Sequence, residues 1–160
     1  MSFIEAAVLT SSDRCSKGQA EDVSGKLVSE MIKTIGGRTA AYDIVPDEIP
    51  AITEKLLHYC DKLKVNLVIT TGGTGFSGRD VTPEATGAVI ERVIPGLPEL
   101  IRAEGLKKTR KAVLSRGIAG IRGNTIILNL PGSPKAVKES LEAVLDLIPH
   151  ALEMLKGGGH

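Results

Sequence analysis

Four short segments of this chain carry residue types suited to holding a charged small molecule. The first is Gly72-Gly73-Thr74-Gly75, which follows an apolar run and precedes a helical pattern. Residues without a β-carbon let backbone N–H groups close on phosphate oxygens, and a helix N-terminus favours the anion. The same residues also suit a tight connection that needs positive φ. Gly73-Thr74-Gly75-Phe76-Ser77-Gly78 fits GxGxxG, but the helix begins too late for a dinucleotide site. No strand ending in an acid follows at the expected separation, and no GxxxxGK[ST] loop occurs. The second segment is Asn129-Leu130-Pro131-Gly132-Ser133, another candidate anion loop, in which Ser133 also reads as a helix N-cap. Thr10-Ser11-Ser12-Asp13 and Pro46-Asp47-Glu48 complete the set.

Among the carboxylates, Asp47 and Asp80 form the sharpest pair, because both fall just beyond strands expected to share a sheet. Placed there, they suit Mg²⁺ held between protein and a nucleoside phosphate, with several waters left on the ion. The plainer alternative is that Asp47 caps the helix containing Pro50 and Asp80 steadies the start of the helix after it. Asp13 and Asp22 have weaker claims, since polar loops commonly carry such residues. Arg116, next to Ser115, is a candidate two-bond phosphate clamp. The preceding run Lys107-Lys108-Thr109-Arg110-Lys111 reads as a solvated face. His58, His150 and Cys15 lack the neighbours that acid–base or thiol chemistry needs.

To hold these segments together, the chain alternates short apolar runs with amphipathic stretches. Strands are expected over residues 3–10, 39–45 and 67–71, with a polar loop over 11–22. Val23, Leu27, Val28, Met31, Ile32 and Ile35 recur at helical spacing, and Gly36-Gly37 stops that helix. A second helix carries Ile52, Leu56, Leu57, Cys60 and Leu63 on one face. Thr82-Pro83-Glu84 reads as N-cap, first-turn proline and acidic first turn of a helix reaching Val93. A further helix follows Pro98. Gly123-Asn124 marks a hairpin between 118–121 and 125–130, and Ser133-Pro134 opens a long helix that Pro149 divides. This order predicts a mostly parallel sheet covered on both faces, with one antiparallel hairpin strand. Ligands of such folds sit outside the carboxyl ends of the strands, where all four segments converge. The expected organisation is one domain over 1–156 and a flexible, frayed tail over 157–160.

Composition narrows the function further. At 160 residues the chain buries a core of ordinary size without staples. A net charge of +1 argues against a general nucleic-acid binder, and the only aromatic residues are Phe3, Tyr42, Tyr59 and Phe76. Cys15 and Cys60 form no CxxC, and with three histidines they show no zinc spacing. No signal-like start or membrane-length apolar run is present, so a soluble cytoplasmic protein is the expectation, with neither membrane nor nucleic acid as partner.

Taken in order, these motifs resemble one family. Thr70-Thr71-Gly72-Gly73-Thr74-Gly75 and Arg79-Asp80-Val81-Thr82-Pro83-Glu84-Ala85-Thr86 are similar to the molybdopterin adenylyltransferases of Mog/MoaB type, related to the gephyrin G domain. The likeness extends through Ser11-Ser12-Asp13-Arg14, Asp22, Gly25, Pro46-Asp47-Glu48, Leu114-Ser115-Arg116, residues 119–123 and residues 128–134. The resemblance implies a three-layer α/β/α domain, often a homotrimer, that transfers AMP from Mg-ATP to molybdopterin. Asp47 and Asp80 match its essential acidic positions and Ser115 a substrate-contacting serine. The 72–75 and 129–133 loops match nucleotide- and pterin-binding positions. The expected substrate contacts are thus Ser11, Ser12, Asp13, Gly72, Gly73, Thr74, Gly75, Ser115, Arg116, Asn129, Pro131, Gly132 and Ser133. Asp47 and Asp80 are the catalytic and Mg²⁺-binding candidates, and contact with a molybdate-inserting protein is implied. A non-catalytic molybdopterin carrier of the same fold is the alternative.

Overall fold

Three of the strand segments are apolar along almost their whole length, which suits only the middle of a sheet covered on both faces. The computed structural model describes residues 3–158 and puts them there. Strand β1 (Ile4–Ser11), β3 (Leu67–Thr71) and β6 (Thr125–Leu130) are buried, whereas β2 (Gly37–Val45) alternates half-buried with exposed residues. The sheet order is β2-β1-β3-β6-β5-β4. The first four of these strands run parallel. β5 (Ala119–Arg122) pairs antiparallel with β6, and the two-residue β4 (Arg92–Val93) pairs antiparallel with β5. Gly123, at φ 57°, makes the expected hairpin turn.

Side chains alternate between faces along each strand, so each strand feeds two cores. Val8, Ile69 and Leu128 pack under α2 (Val23–Lys33), α5 (Gly96–Leu106), α6 (Pro134–Val144) and α7 (Ile148–Leu155). Leu9, Val68 and Ile127 pack under α3 (Ile49–Leu57) and α4 (Thr82–Val89). This is the three-layer arrangement expected. β1 lies between β2 and β3, so the chain leaves it toward one side and returns on the other. The ligand crevice of a doubly wound sheet forms at that reversal. Among the described residues, no helix is long and apolar enough to cross a membrane.

Several boundaries differ from expectation, each for a local reason. The polar loop after β1 contains a short helix α1 (Asp13–Ser16). Thr82 is the first residue of α4 rather than its cap, which is Val81, and its buried hydroxyl has no partner among the described residues. That helix stops at Val89 rather than Val93. Beyond it, Glu91 N–H and Ile94 N–H donate to Ile121 and Ala119 carbonyls, drawing the chain onto the sheet edge as β4. Past α3 the turn His58–Lys62 is π-helical, which shifts the buried face. Tyr59 and Cys60 therefore point inward, while Leu63 is 44% exposed. The expected frayed tail is ordered over its first two residues. Gly157, at φ 89°, donates to Met154 O (2.9 Å) and Gly158 to Glu153 O (3.1 Å), a Schellman closure of α7. Gly159 and His160 lie outside the described residues.

Asn129, in β6, ties these layers together. Its Nδ2 donates to Thr70 Oγ1 and Thr86 Oγ1 (both 3.0 Å), and its Oδ1 accepts from Ile118 N–H (3.2 Å). The residue is only 4% exposed, so replacing it strands an amide and removes two bonds at once. Asn129→Ala should cost about 2 kcal/mol of stability, measured as a lower urea midpoint at unchanged slope. A loss below about 0.5 kcal/mol would mean water replaces the side chain, as happens at exposed sites.

Candidate active site

The carboxyl ends of β1, β2, β3 and β6 open on one edge of the sheet, around a cleft of about 280 Å³. Ser11, Ser12, Asp47, Gly72, Gly73, Asp80 and Gly132 line it, so all four segments singled out from the sequence contribute.

Asp47 is no helix cap. The N-cap of α3 is Glu48, without a side-chain bond. Asp47 Oδ1 instead accepts from Ser11 Oγ (2.6 Å) and Oδ2 from Asp13 N–H (3.0 Å), while Asp47 N–H donates to Asp13 Oδ1 (3.0 Å). The carboxylate is thus clamped to the end of β1. Asp80 is held from its own loop: Oδ2 accepts from Ser77 N–H (2.9 Å), and Oδ1 has no hydrogen bond among the described residues. Between them, Gly72 and Gly73 take φ of 89° and 71°. A β-carbon on Gly72 would lie 2.3 Å from Ser11 O, and one on Gly73 2.2 Å from Thr82 Oγ1. Gly72 N–H is used by Leu130 O, but the N–H groups of Gly73, Thr74 and Gly75 have no acceptor among the described residues. Consecutive unpaired amides of this kind form an anion-binding concavity.

Other expected contacts are committed within the protein. Arg116 is not a free clamp. Its Nε donates to Gly75 O (2.8 Å), its Nη2 to Asp80 O (2.7 Å), and both terminal nitrogens reach Glu84 (2.7 and 3.1 Å). Its N–H donates to Thr74 O (2.9 Å), so Arg116 builds the wall of the glycine turn. The guanidinium bonds hold the Glu84 carboxyl below its usual range. Asn129 is saturated as described above. Ser12 caps α1 through Cys15 N–H (3.1 Å), and Ser133 caps α6 through Ala136 N–H (3.3 Å). Asp13 accepts two bonds from Arg79, at 3.0 and 2.9 Å, which with the Asp47 amide pulls its pKa down to about 2.

Ser115 belongs to a second cleft. It lines a mostly apolar hollow of about 210 Å³ with Ile101, Ala112 and Pro131, on the other side of the Pro131-Gly132 turn. Lys108 and Lys111 line this hollow too, so part of the basic run borders a ligand-sized space rather than open solvent alone. His58 lies on a groove along α3, away from both clefts, and Cys15 and Cys60 are free thiols. Cys60 is buried, which pushes its thiol up to about 11.

Asp22, with only a weak claim as a loop carboxylate in the sequence, is a structural anchor of the site. It is 6% exposed, and its Oδ2 accepts from Thr10 Oγ1 (2.6 Å) and from the Tyr42 hydroxyl, its Oδ1 from Gly25 N–H (3.0 Å). Burial, then the bond to Asp22, raises the Tyr42 phenol well above its ordinary value. Gly25 is required, because a β-carbon there would lie 2.2 Å from Asp22 Oδ2. Ser24 Oγ donates to Gly132 O (2.6 Å), so the start of α2 also fixes the loop after β6. The available signal was an N-cap acid three residues before a glycine, at the head of an amphipathic helix.

The lining of the first cleft includes Glu21, Asp22, Asp47 and Asp80 but no lysine or arginine. A polyanion entering it therefore meets backbone donors and carboxylates, and the carboxylates favour a ligand that brings its own cations.

Such a domain is an α/β protein of the class that takes small ligands at the switch point of a parallel sheet. More narrowly, the chain belongs to the family described as "Probable molybdopterin binding domain", which matches residues 7–150. It is 45% identical over 159 residues to a molybdopterin adenylyltransferase of Helicobacter pylori, covering 98% of this chain and 90% of that protein. The molybdenum cofactor synthesis protein cinnamon of Drosophila melanogaster is 44% identical over 97% of this chain, which spans only 26% of that longer protein. Among solved structures, the molybdopterin biosynthesis enzyme MoaB of Thermus thermophilus superposes with a TM-score of 0.92 at 47% identity. That match covers 97% of this chain and 98% of the other.

Two outcomes follow from this geometry. Gly73→Ala adds a clash and a disfavoured φ and should destabilise by about 1–3 kcal/mol. Gly78→Ala meets nothing within 4 Å and should be nearly silent by the same urea measurement. For Asp13, the folded pKa of about 2 lies below the ordinary 3.8, so its stabilisation is full above pH 3.8 and lost as pH falls toward 2. The thermal midpoints of wild type and Arg79→Gln should accordingly differ near neutral pH and converge near pH 2. A constant gap across that range would assign the difference to packing instead.

Proposed function

We propose that this chain is a molybdopterin adenylyltransferase, moving AMP from Mg-ATP to the terminal phosphate of molybdopterin and releasing pyrophosphate in molybdenum cofactor biosynthesis. The observation that carries the reading is one cleft in which the Asp47 and Asp80 carboxylates face a glycine turn with unpaired amides. The H. pylori relative named for this activity aligns with 98% of the chain.

The chemistry asks little of acid–base groups. A terminal phosphate oxygen of molybdopterin, anionic near neutral pH, attacks the α-phosphorus of ATP. A P–O bond forms there, the α–β bridging P–O bond breaks, and its electron pair leaves with pyrophosphate. No proton needs to move, which suits a site lined by no histidine among the described residues. What the protein supplies is alignment of two anions and relief of their repulsion.

The amides of residues 73–75 are assigned to phosphate oxygens, and Ser11 and Gly132 to the walls that orient them. Molybdopterin's flat pterin ring, polar at its edges, is assigned to the hollow beside Ser115 and Pro131, its faces against the apolar wall and Lys108 and Lys111 in the lining. The two reacting groups would then meet across the Pro131-Gly132 turn. For Mg²⁺ the donor set fits: Asp47 and Asp80 offer hard oxygens in one cleft, and Asp80 Oδ1 is unbonded among the described residues. No described group of three or more His, Cys, Asp or Glu could hold a metal alone, so the fit is to an ion delivered with the triphosphate. Asp47 and Asp80 would hold it, and when bound it offsets phosphate charge. A homotrimer, a cytoplasmic setting and product transfer to a molybdate-inserting protein belong to this same reading.

The direct test is incubation with molybdopterin and Mg-ATP labelled at the α-phosphate. Labelled adenylyl-pterin with equimolar pyrophosphate is expected, and binding of molybdopterin without either product would leave a carrier instead. Asp80→Asn keeps the acceptor for Ser77 N–H but loses the charge. It should therefore fold normally and lose ~10²–10³ in rate, about 3–4 kcal/mol. In Asp47→Asn the amide oxygen can take the place of Oδ2 opposite Asp13 N–H, and the Ser11 hydroxyl turns to accept from the amide nitrogen. At least one of the two variants should need more Mg²⁺ for half-maximal rate. Wild-type rate and Mg²⁺ dependence in both would remove the pair from the reaction.

A further inference from the structure

Asp47 follows β2 and Asp80 follows the glycine turn after β3, so the spacing of the two carboxylates depends on what holds the segment that carries Asp80. Asp80 closes a loop, residues 76–80, that has little packing of its own. Phe76 is 73% exposed, and the β-carbon position of Gly78 meets nothing within 4 Å. Inside the loop, Asp80 N–H donates to Ser77 O (3.0 Å) and Arg79 N–H to Ser77 Oγ (3.2 Å). These bonds shape the turn without fixing where it sits.

Two arginines fix it from outside. Arg116 holds Gly75 O and Asp80 O toward α4. On the other side, Arg79 spans to α1, with Nε on Asp13 Oδ2 (3.0 Å) and Nη2 on Asp13 Oδ1 (2.9 Å). Asp13 in turn exchanges two backbone–carboxylate bonds with Asp47, both 3.0 Å. A continuous chain therefore runs from Asp80 through its neighbour Arg79, across to Asp13, and into Asp47. Arg79 meets both oxygens of Asp13 through Nε and Nη2, and its Nη2 also lies 3.8 Å from Glu48 Oε1, next to Asp47 in sequence. Neither Asp13 nor Arg79 is among the residues that line the cleft, and the Arg79 side chain is 57% exposed.

We propose that the Arg79–Asp13 pair is a brace that sets the spacing of Asp47 and Asp80, which makes both members positioning residues for nucleotidyl transfer. Asp13, expected from sequence to contact substrate, acts through Asp47 instead. This inference rests on the adenylyltransferase reading for its kinetic consequence but not for its structural one. A planar guanidinium gives two parallel bonds and thus a fixed direction, which a lysine cannot supply.

The test is a double-mutant cycle with Arg79→Gln, Asp13→Asn and the double variant. Amide hydrogen exchange is read without ligand, and initial rates are read at saturating molybdopterin. The amides of Ser77 and Asp13 report the two carboxylates directly, since they donate to Asp80 and Asp47. Each single variant should speed exchange at both amides by about tenfold or more, with the buried Ile69 amide unchanged. The rate constant at saturation should fall about tenfold to a hundredfold, with KM for ATP moving less, as misplacement of a reacting pair predicts. The double variant should be no worse than the poorer single, because one brace is broken once. Arg79→Lys should restore little. Additive losses, or a rise in KM for ATP alone, would assign Arg79 to the phosphates and overturn the brace. Unchanged exchange at Ser77 and Asp13 would overturn it regardless of rate. Should the wild-type protein form no adenylyl-pterin, the functional reading fails, while the exchange measurement still decides whether the pair holds the carboxylates.

Discussion

Asp22 is a buried carboxylate satisfied by neutral donors rather than by a cation, and the geometry of the cleft hangs on it. Thr10 gives its proton to Asp22, so in the Thr10–Thr71 contact at 3.1 Å it is Thr71 that must donate. A directed chain results, from the end of β3 through the end of β1 into the cap of α2, with Tyr42 of β2 as a further donor. One buried carboxylate thereby ties together β1, β2 and β3, and removing it would leave several polar atoms orphaned together. Ser24, two residues on, carries the same anchor to the loop after β6. Rigid placement of loop residues by such a network is what lets backbone amides act as a preformed ligand surface.

Division of labour among the arginines follows from this frame. Arg79 and Arg116 both approach the glycine turn, yet each spends its guanidinium on protein oxygens. Positive charge is used to shape the turn, and anion recognition is left to N–H groups. The result is a small turn with defined walls, flanked by two clefts of different character. One is acidic and polar, the other apolar with lysines at its rim. Two chemically unlike substrates sharing one reaction centre fit that division.

Much of this was legible beforehand. The strand-end segments were visible because parallel strands demand apolar runs, and the small polar residues that interrupt them stand out. The hairpin at Gly123 and the cap at Ser133 follow from local backbone chemistry and lie where expected. Other features depend on partners far along the chain. Arg116 reads as a phosphate clamp until Glu84, Gly75 and Asp80 are seen to fill its donors. Asn129 reads as a ligand residue until its amide meets Thr70 and Thr86. The early end of α4 depends on β5 offering carbonyls to Glu91 and Ile94, and the exposure of Leu63 on a π-turn that no periodicity announces. Ser115 falls in a different cleft from Asp47, with Pro131 lining the one and Gly132 the other.

The acidic lining of the first cleft also sets the sign of its response to ionic strength. Most phosphate-binding surfaces are basic, and salt weakens them by screening attraction. The carboxylates of the lining are Glu21, Asp22, Asp47 and Asp80, and the adjacent Arg79 and Arg116 are offset by Asp13 and Glu84, so long-range Coulomb forces oppose a bare anion while short-range amide bonds favour it. Screening over a Debye length of about 8 Å at physiological salt suppresses the first without touching the second. Free pyrophosphate without a divalent ion should thus bind better as inert salt is added. That inverted slope is the electrostatic signature of a pocket built to reject naked polyanions.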